Sequence, residues 1–211
     1  MLPDDRWVAL ASGTLALFSG ARMIWSHVVD RSDQMFGAIA SDRFCAIFGL
    51  KELWLLERGT DLLVPFVGHQ AATMDAGFDR ASQRVVSTSQ DGSAIVWDLA
   101  TRRRIHQLVS RAQFLASAAF DASDSVIVAL DGAGNLQLFD ADAGTFVAAI
   151  DGRAQRPVLV RRAADGTFIA FDGTGGVVVW RIPPDHDPLA AVDHDLACLA
   201  PPSETVGTCT R

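Results

Sequence analysis

Short apolar runs alternate with polar, glycine-containing turns along most of this 211-residue chain. The clearest example has one run over 84–89, a turn over 90–93 and a second run over 94–98. Glycine is favoured at such a turn because a tight hairpin requires a residue that tolerates positive φ. The apolar residues show no helical spacing, so the pattern predicts short β-strands joined by hairpins and no helix.

A spacing of five positions from a glycine to a large aromatic residue recurs within these strand–turn–strand units. The pairs are Gly20 and Trp25, Gly49 and Trp54, Gly92 and Trp97, Gly134 and Phe139, and Gly175 and Trp180. Successive aromatic residues are 29, 43, 42 and 41 positions apart. A period of roughly 40–45 residues is typical of repeated four-stranded sheets, whereas the first step leaves room for three strands only.

One repeat contains a more specific pattern. It consists of Gly68-His69, Phe78-Asp79, Ser87-Thr88-Ser89-Gln90-Asp91-Gly92 and Ile95-Val96-Trp97-Asp98. This stretch resembles the WD40-repeat β-propeller family, in a degenerate form of bacterial type. The resemblance implies a structural tetrad of paired, hydrogen-bonded side chains, namely His69, Ser87, Asp91 and Trp97. Later repeats have Ala133 and Thr174 at the aspartate position, so we expect packing to hold them.

The spacing and the resemblance together predict an all-β fold, a WD40-like β-propeller of about five four-stranded blades whose first blades are irregular. We expect this propeller to span residues 1–182 and a Pro- and Asp-rich C-terminal tail to span 183–211. Closed propellers have about 4–8 blades, so a ring of five is permitted. Two alternatives are open: the ring is completed by another copy or another protein, or the blades form an open arc with exposed edges.

Composition and charge narrow the class of partner. The net charge of −7 disfavours nucleic acid and anionic membranes, because binding phosphates requires a positive surface. No apolar run approaches the ~20 residues that span a bilayer, and the N-terminus is acidic where a secretory signal is basic. We therefore expect a cytoplasmic protein whose partner is another protein. Lys51 is the only lysine among 18 basic residues, which suggests a high-GC, bacterial genome.

Candidate chemistry is sparse, and we expect no cofactor, no bound metal and no enzymatic activity. Ser87 and His69 lie near an aspartate as in a catalytic triad, but their spacing is that of the structural tetrad. The segments Asp185-His186-Asp187 and Asp193-His194-Asp195 contain metal-ligating side chains, which we interpret as part of a solvated acidic tail. A metal-dependent enzyme at the channel mouth is the alternative.

The resemblance also implies which side chains face a partner. They are Gln70, Ala72, Met74 and Gln90 in the clear repeat and, by the repeat period, Arg111, Phe114, Arg153 and Gln155. Met and Phe beside Arg and Gln suit an interface with an apolar centre and a polar rim. The sequence thus favours a non-catalytic protein-interaction scaffold or sensor module. The alternative is a fragment that completes a larger propeller in an oligomer or signalling assembly, including by self-association.

Overall fold

The computed structural model describes residues 6–11, 14–28, 35–49, 52–57, 60, 62–151 and 156–180. These ranges contain eighteen β-strands and no helix, which confirms the all-β prediction. The strands are β1 (Arg6–Ala11), β2 (Thr14–Ser19), β3 (Arg22–Val28), β4 (Met35–Ala40), β5 (Phe44–Gly49), β6 (Leu53–Glu57), β7 (Leu63–Phe66), β8 (Thr73–Phe78), β9 (Arg84–Ser89), β10 (Ser93–Asp98), β11 (Arg103–Val109), β12 (Leu115–Phe120), β13 (Val126–Asp131), β14 (Leu136–Asp140), β15 (Phe146–Ile150), β16 (Pro157–Arg162), β17 (Phe168–Asp172) and β18 (Val177–Trp180).

The strands form five antiparallel sheets, in each of which consecutive strands pair. Sheet I contains β1–β3, sheet II β4–β7, sheet III β8–β11, sheet IV β12–β15 and sheet V β16–β18. The first strands of sheets II to V contact one another in succession, and these four sheets are arranged as in a β-propeller. Sheet I has three strands in its described ranges, as the short first step of the repeat predicts.

The described core consists of apolar clusters, one between each pair of consecutive sheets. Between sheets III and IV, for example, Val86, Val96 and Ile127 are each 0% exposed. Burying one such side chain contributes about 1.5–3 kcal/mol. Because sheets II to IV are covered on both faces, β5, β12 and β13 are buried at every position and show no alternation of polar with apolar residues.

Sheet II has the glycine-to-aromatic spacing, but its aromatic residue lies at a different register position. In sheet III, Trp97 pairs with Val85. At the same register position in sheet II, Leu56 pairs with Cys45, and Trp54 lies two positions closer to the hairpin. The anchor of this repeat is therefore Leu56, which is 41 positions before Trp97. The 43-position step from Trp54 to Trp97 therefore joins residues at different register positions.

Candidate functional site

The first strands of sheets III, IV and V each contain a β-bulge at the second residue of the strand. The residue that falls out of register is Met74 in β8, Ala116 in β12 and Val158 in β16, at intervals of 42 positions. The backbone of β4 has the same irregularity between Met35 and Gly37. A bulge bends a strand and re-aims a side chain, so the repeat brings equivalent side chains to one end of successive sheets.

The three bulge residues line one cavity of about 490 Å³, which we call the bulge cavity. Its lining residues are Met74, Gln90, Gln113, Phe114, Ala116, Pro157 and Val158. The volume lies within the range of roughly 300–1,000 Å³ that is common for ligand-binding clefts. The lining residues are mostly apolar, and Gln90 and Gln113 are the polar residues among them. Val158 is 56% exposed, so the cavity opens to solvent along β16.

Three of the side chains predicted to face a partner line this cavity, namely Met74, Gln90 and Phe114. The other four lining residues were not predicted from the sequence. Projecting the 42-position interval forward from Met74 would have identified Ala116 and Val158, because all three occupy the same place in the repeat. The repeat interval of 42 positions in the sequence was therefore sufficient to predict Ala116 and Val158.

Two other predicted contact residues lie beside the tetrad instead. Gln70 is exposed, and its backbone N–H donates a hydrogen bond to Asp91 Oδ2 at 2.8 Å. Ala72 is only 5% exposed, and its backbone carbonyl accepts a hydrogen bond from the Gln90 N–H at 3.0 Å. Ala72 therefore offers a partner very little surface, in contrast to the expectation from the sequence.

The predicted contact residues of the later repeats are also not part of the cavity lining. Arg111 is exposed, and its guanidinium carbon lies 4.5 Å from the centre of the Phe146 ring. This contact directs the Arg111 side chain toward β15, the last strand of sheet IV. Arg153 and Gln155 lie outside the described residues.

The structure brings the four side chains of the predicted tetrad into one hydrogen-bonded chain. His69 Nε2 lies 2.8 Å from Ser87 Oγ, and His69 Nδ1 lies 3.2 Å from Asp91 Oδ2. Trp97 Nε1 donates to Ser87 Oγ at 2.9 Å. Ser93, which the sequence analysis missed, donates from its hydroxyl to Asp91 Oδ1 at 2.6 Å. These contacts join the connection before β8 to β9, to β10 and to the hairpin between them.

Burial lowers the pKa of His69, and the neighbouring Asp91 carboxylate offsets this effect only in part. Burial acts to raise the pKa of Asp91, but hydrogen bonds from Ser93 and from the Gln70 backbone outweigh it, so the pKa of that carboxyl is lowered. A neutral His69 that donates from Nδ1 to Asp91 accepts a hydrogen bond from the Ser87 hydroxyl at Nε2. Ser87 is 0% exposed, so this Ser–His–Asp set does not meet a substrate while the sheet is folded.

Within the part of the chain that the structure describes, no group of three or more His, Cys, Asp or Glu side chains is placed to hold a metal ion. The segments Asp185-His186-Asp187 and Asp193-His194-Asp195 lie outside that part. The described residues also include no helix with the length and apolar character needed to cross a membrane.

Comparison with known proteins identifies the fold and no family. No protein-family model matches the chain, and no curated protein matches it either. Among solved structures, the chain is similar to the crystal structure of the computationally designed Ika4 protein, with 19% sequence identity and a TM-score of 0.61. That similarity covers 72% of this chain and 93% of the designed chain. At this level of identity the likeness shows the fold alone.

Proposed function

We propose that this chain is a non-catalytic protein-interaction scaffold or sensor module of the WD40-like type, and that the bulge cavity is its contact site. We also propose that the propeller has five blades, one for each sheet. The observation that carries the proposal is that Met74, Gln90 and Phe114 converge on one cavity, although they come from the first strand of sheet III, its β9–β10 hairpin and its connection to sheet IV. Packed strands support the cavity, so little side-chain or backbone ordering is needed on binding.

The lining of the bulge cavity indicates the chemistry of the partner. Met74, Phe114 and Val158 form an apolar wall, and a methionine adapts its shape to the side chain that it meets. The carboxamides of Gln90 and Gln113 each offer both donors and an acceptor, which suits the backbone of an extended segment. The proposed ligand is therefore an extended protein segment that inserts one apolar side chain. The net charge of −7 favours a neutral or basic segment over an acidic one.

Selection of peptides from a random library displayed on phage tests this proposal. Peptides that bind the wild-type chain are measured against Met74→Glu, which places a charge in the cavity, and Ala116→Trp, which fills it. We expect each change to weaken binding by about tenfold or more, the equivalent of about 1.4 kcal/mol, because the apolar contact is lost. Ile105→Glu is the matched control, since Ile105 is 41% exposed on β11, away from the cavity lining. Equal binding by all variants would contradict the proposal, provided that circular dichroism shows them folded.

A second candidate function, a piece of a larger propeller assembly, is supported by the exposed face of sheet V. Phe171 is 41% exposed, whereas Leu130, at the same register position in sheet IV, is 0% exposed and packs against sheet V. Ile169, Val177 and Val179 share the face of Phe171 by their strand pairing. Light scattering of the wild type and Phe171→Glu over a range of concentrations tests this candidate. Assembly that the variant loses supports it, and a wild-type monomer throughout excludes self-completion.

A further inference from the structure

Three polar side chains on the first strands of sheets III, IV and V meet beside the bulge cavity. They are Asp75, Ser117 and Arg161, which we call the inner-strand ion cluster. Arg161 Nη1 donates to Asp75 Oδ2 at 2.6 Å, and Arg161 Nη2 donates to Asp75 Oδ1 at 2.8 Å. The Ser117 hydroxyl donates to Asp75 and accepts from Arg161 Nη1 at 3.1 Å. The Asp75 side chain is 3% exposed and that of Arg161 is 32% exposed.

The cluster joins elements that are distant in sequence and not adjacent in the order of the sheets. Asp75 and Arg161 are 86 positions apart, on sheets III and V, and Ser117 of sheet IV lies between them. Ser117 Oγ also accepts a hydrogen bond from the Val160 N–H at 3.0 Å. The apolar clusters of the core each join two neighbouring sheets. The inner-strand ion cluster therefore adds a direct polar connection across three.

The same strands carry the walls of the bulge cavity. Asp75 and Ser117 directly follow two of the bulge residues, and Arg161 comes three positions after the third. The approach of β8 to β12 is set by backbone contact, since a Cβ added at Gly77 would lie 2.7 Å from the carbonyl oxygen of Ala118. The position of β16 relative to β8 is fixed instead by the Arg161–Asp75 contacts, which are made through the long side chain of Arg161.

We infer that Asp75, Ser117 and Arg161 are positioning residues that fix the separation of sheets III and V at the bulge cavity, and thereby the size of side chain that the cavity accepts. Two parallel N–H···O contacts from a planar guanidinium hold both distance and orientation, whereas a lysine ammonium makes a single contact of variable direction. The inference rests on the proposed function of the cavity. The effect of the cluster on the separation is nevertheless measurable without a ligand.

Distance measurement between spin labels tests the positioning role directly. Labels are attached to cysteines replacing Gln90 and Val158, which are exposed residues of the cavity lining on sheets III and V. Cys198 and Cys209 are changed to Ser in this background, and the buried Cys45 is retained. In the parent we expect a single narrow distance distribution by pulsed electron paramagnetic resonance. Arg161→Lys is expected to broaden the distribution and lengthen its mean, because the second contact to the Asp75 carboxylate is lost.

A matched substitution separates this role from general stabilisation by an arginine. Arg84 is bonded to Asp142 at 3.0 Å across sheets III and IV, so Arg84→Lys weakens another inter-sheet ion pair. We expect the label distance in Arg84→Lys to equal that of the parent. The same distribution in Arg161→Lys, Arg84→Lys and the parent overturns the inference. Ser117→Ala, which removes the central hydroxyl and keeps both charges, provides a second variant with an expected broadening.

A binding arm links the distance to specificity and keeps the two proposals distinguishable. Peptides selected on the wild type are synthesised with Ala, Val, Leu, Phe or Trp at the inserted position. Arg161→Lys is expected to change the preferred size of that residue, and Arg84→Lys to leave the order of affinities unchanged. If the label distance responds but no peptide binds the cavity, the positioning role is supported and the proposed function fails. If peptides bind and the distance does not respond, the positioning role fails alone.

Discussion

Trp97 of sheet III and Trp180 of sheet V occupy the same register position, since the first pairs with Val85 and the second with Phe168. Trp97 donates its indole N–H to Ser87 at 2.9 Å. Trp180 Nε1 is buried and has no hydrogen-bond partner among the described residues, where Ala170 takes the register position of Ser87. A buried donor without a partner costs about 1–3 kcal/mol. Trp97 thus takes part in a hydrogen-bond network, whereas Trp180 contributes packing alone.

The two sheets also differ in what covers them. Sheet III is packed on both faces, against sheets II and IV, and Ile95 at its centre is 0% exposed. In the described residues, sheet V is packed on the face toward sheet IV, and Phe171 on its other face is 41% exposed. The comparison teaches that the apolar strand pattern suffices to form a sheet of the repeat. The polar tetrad then adds stability where every polar atom finds a partner.

Both hairpins are capped by an aspartate, at different places in the turn. Asp91 follows the end of β9, and its Oδ1 accepts from the Ser93 N–H at 2.9 Å. Asp172 is the last residue of β17, and its Oδ1 accepts from the Thr174 N–H, also at 2.9 Å. The expectation that packing alone holds the later sheets is therefore corrected, because turn aspartates contribute hydrogen bonds there as well.

The largest effect that would sharpen this comparison is expected from Ser87→Ala. The change leaves both His69 Nε2 and Trp97 Nε1 without their shared partner inside a buried sheet. We expect a loss of about 2–4 kcal/mol in the free energy of unfolding, the cost of two unpaired buried groups, measured by denaturation in guanidinium chloride. Ser26→Ala on β3, at an exposed position, is the control and should change stability by less than about 0.5 kcal/mol. Equal effects of the two substitutions would show that the tetrad adds no stability.

A smaller effect on the free energy of unfolding is expected from lowering the pH. It is expected at the tetrad of sheet III and not in sheet V, because the described residues of sheet V contain no histidine. Burial keeps the pKa of His69 in the folded chain below its ordinary value of 6.5. As the pH falls, the unfolded chain binds this proton first, so the folded state loses stability. The contribution of His69 is fully present above pH 6.5 and declines as the pH falls through the folded pKa.

Denaturation at pH 7.5 and pH 5.0 measures this dependence, with His69→Asn as the variant that lacks the titrating group. The wild type is expected to lose more stability than the variant over this interval, since all other titrating groups are common to both. An identical loss in the two proteins would show that His69 is not held neutral by the fold. Only the change in the free energy of unfolding between the two pH values is compared, so a lower absolute stability of the variant does not affect the result.

The strands were predictable because apolar runs and hairpin residues are recognised within a few positions. The tetrad was predicted from the resemblance of one repeat to the WD40 pattern. The bulge in β8 interrupts the alternation of faces along the strand. In a regular strand Ala72 and Met74 would share one face, whereas here Ala72 is buried and Met74 lines the cavity. Asp75 and Arg161 are 86 positions apart, so no local pattern could have paired them.

The smallest expected effect is a gain of stability in sheet V from Ala170→Ser. The new hydroxyl occupies the register position that Ser87 has in sheet III. There it is expected to accept a hydrogen bond from the Trp180 indole N–H, as Ser87 does from Trp97. Its proton has an acceptor in the Val178 carbonyl, the counterpart of the Ile95 carbonyl that lies 3.5 Å from Ser87 Oγ. We expect a gain of about 0.5–1.5 kcal/mol, the net value of one hydrogen bond, and a downfield shift of the Trp180 indole proton in the NMR spectrum.

Sheet IV supplies the matched control for this substitution. Ala129 holds the register position of Ser87 there, and Phe139 holds that of Trp97, so a hydroxyl at 129 meets no indole N–H. Ala129→Ser is therefore expected to lower the free energy of unfolding by about 1–3 kcal/mol, because its buried oxygen receives no hydrogen bond, although its proton has the Gln137 carbonyl as an acceptor. Opposite signs for the two alanine-to-serine changes would establish that the tryptophan N–H decides whether a polar group at this position stabilises a blade. A loss of stability in both would mean that sheet V tolerates its unpaired indole because the surrounding packing admits no hydroxyl.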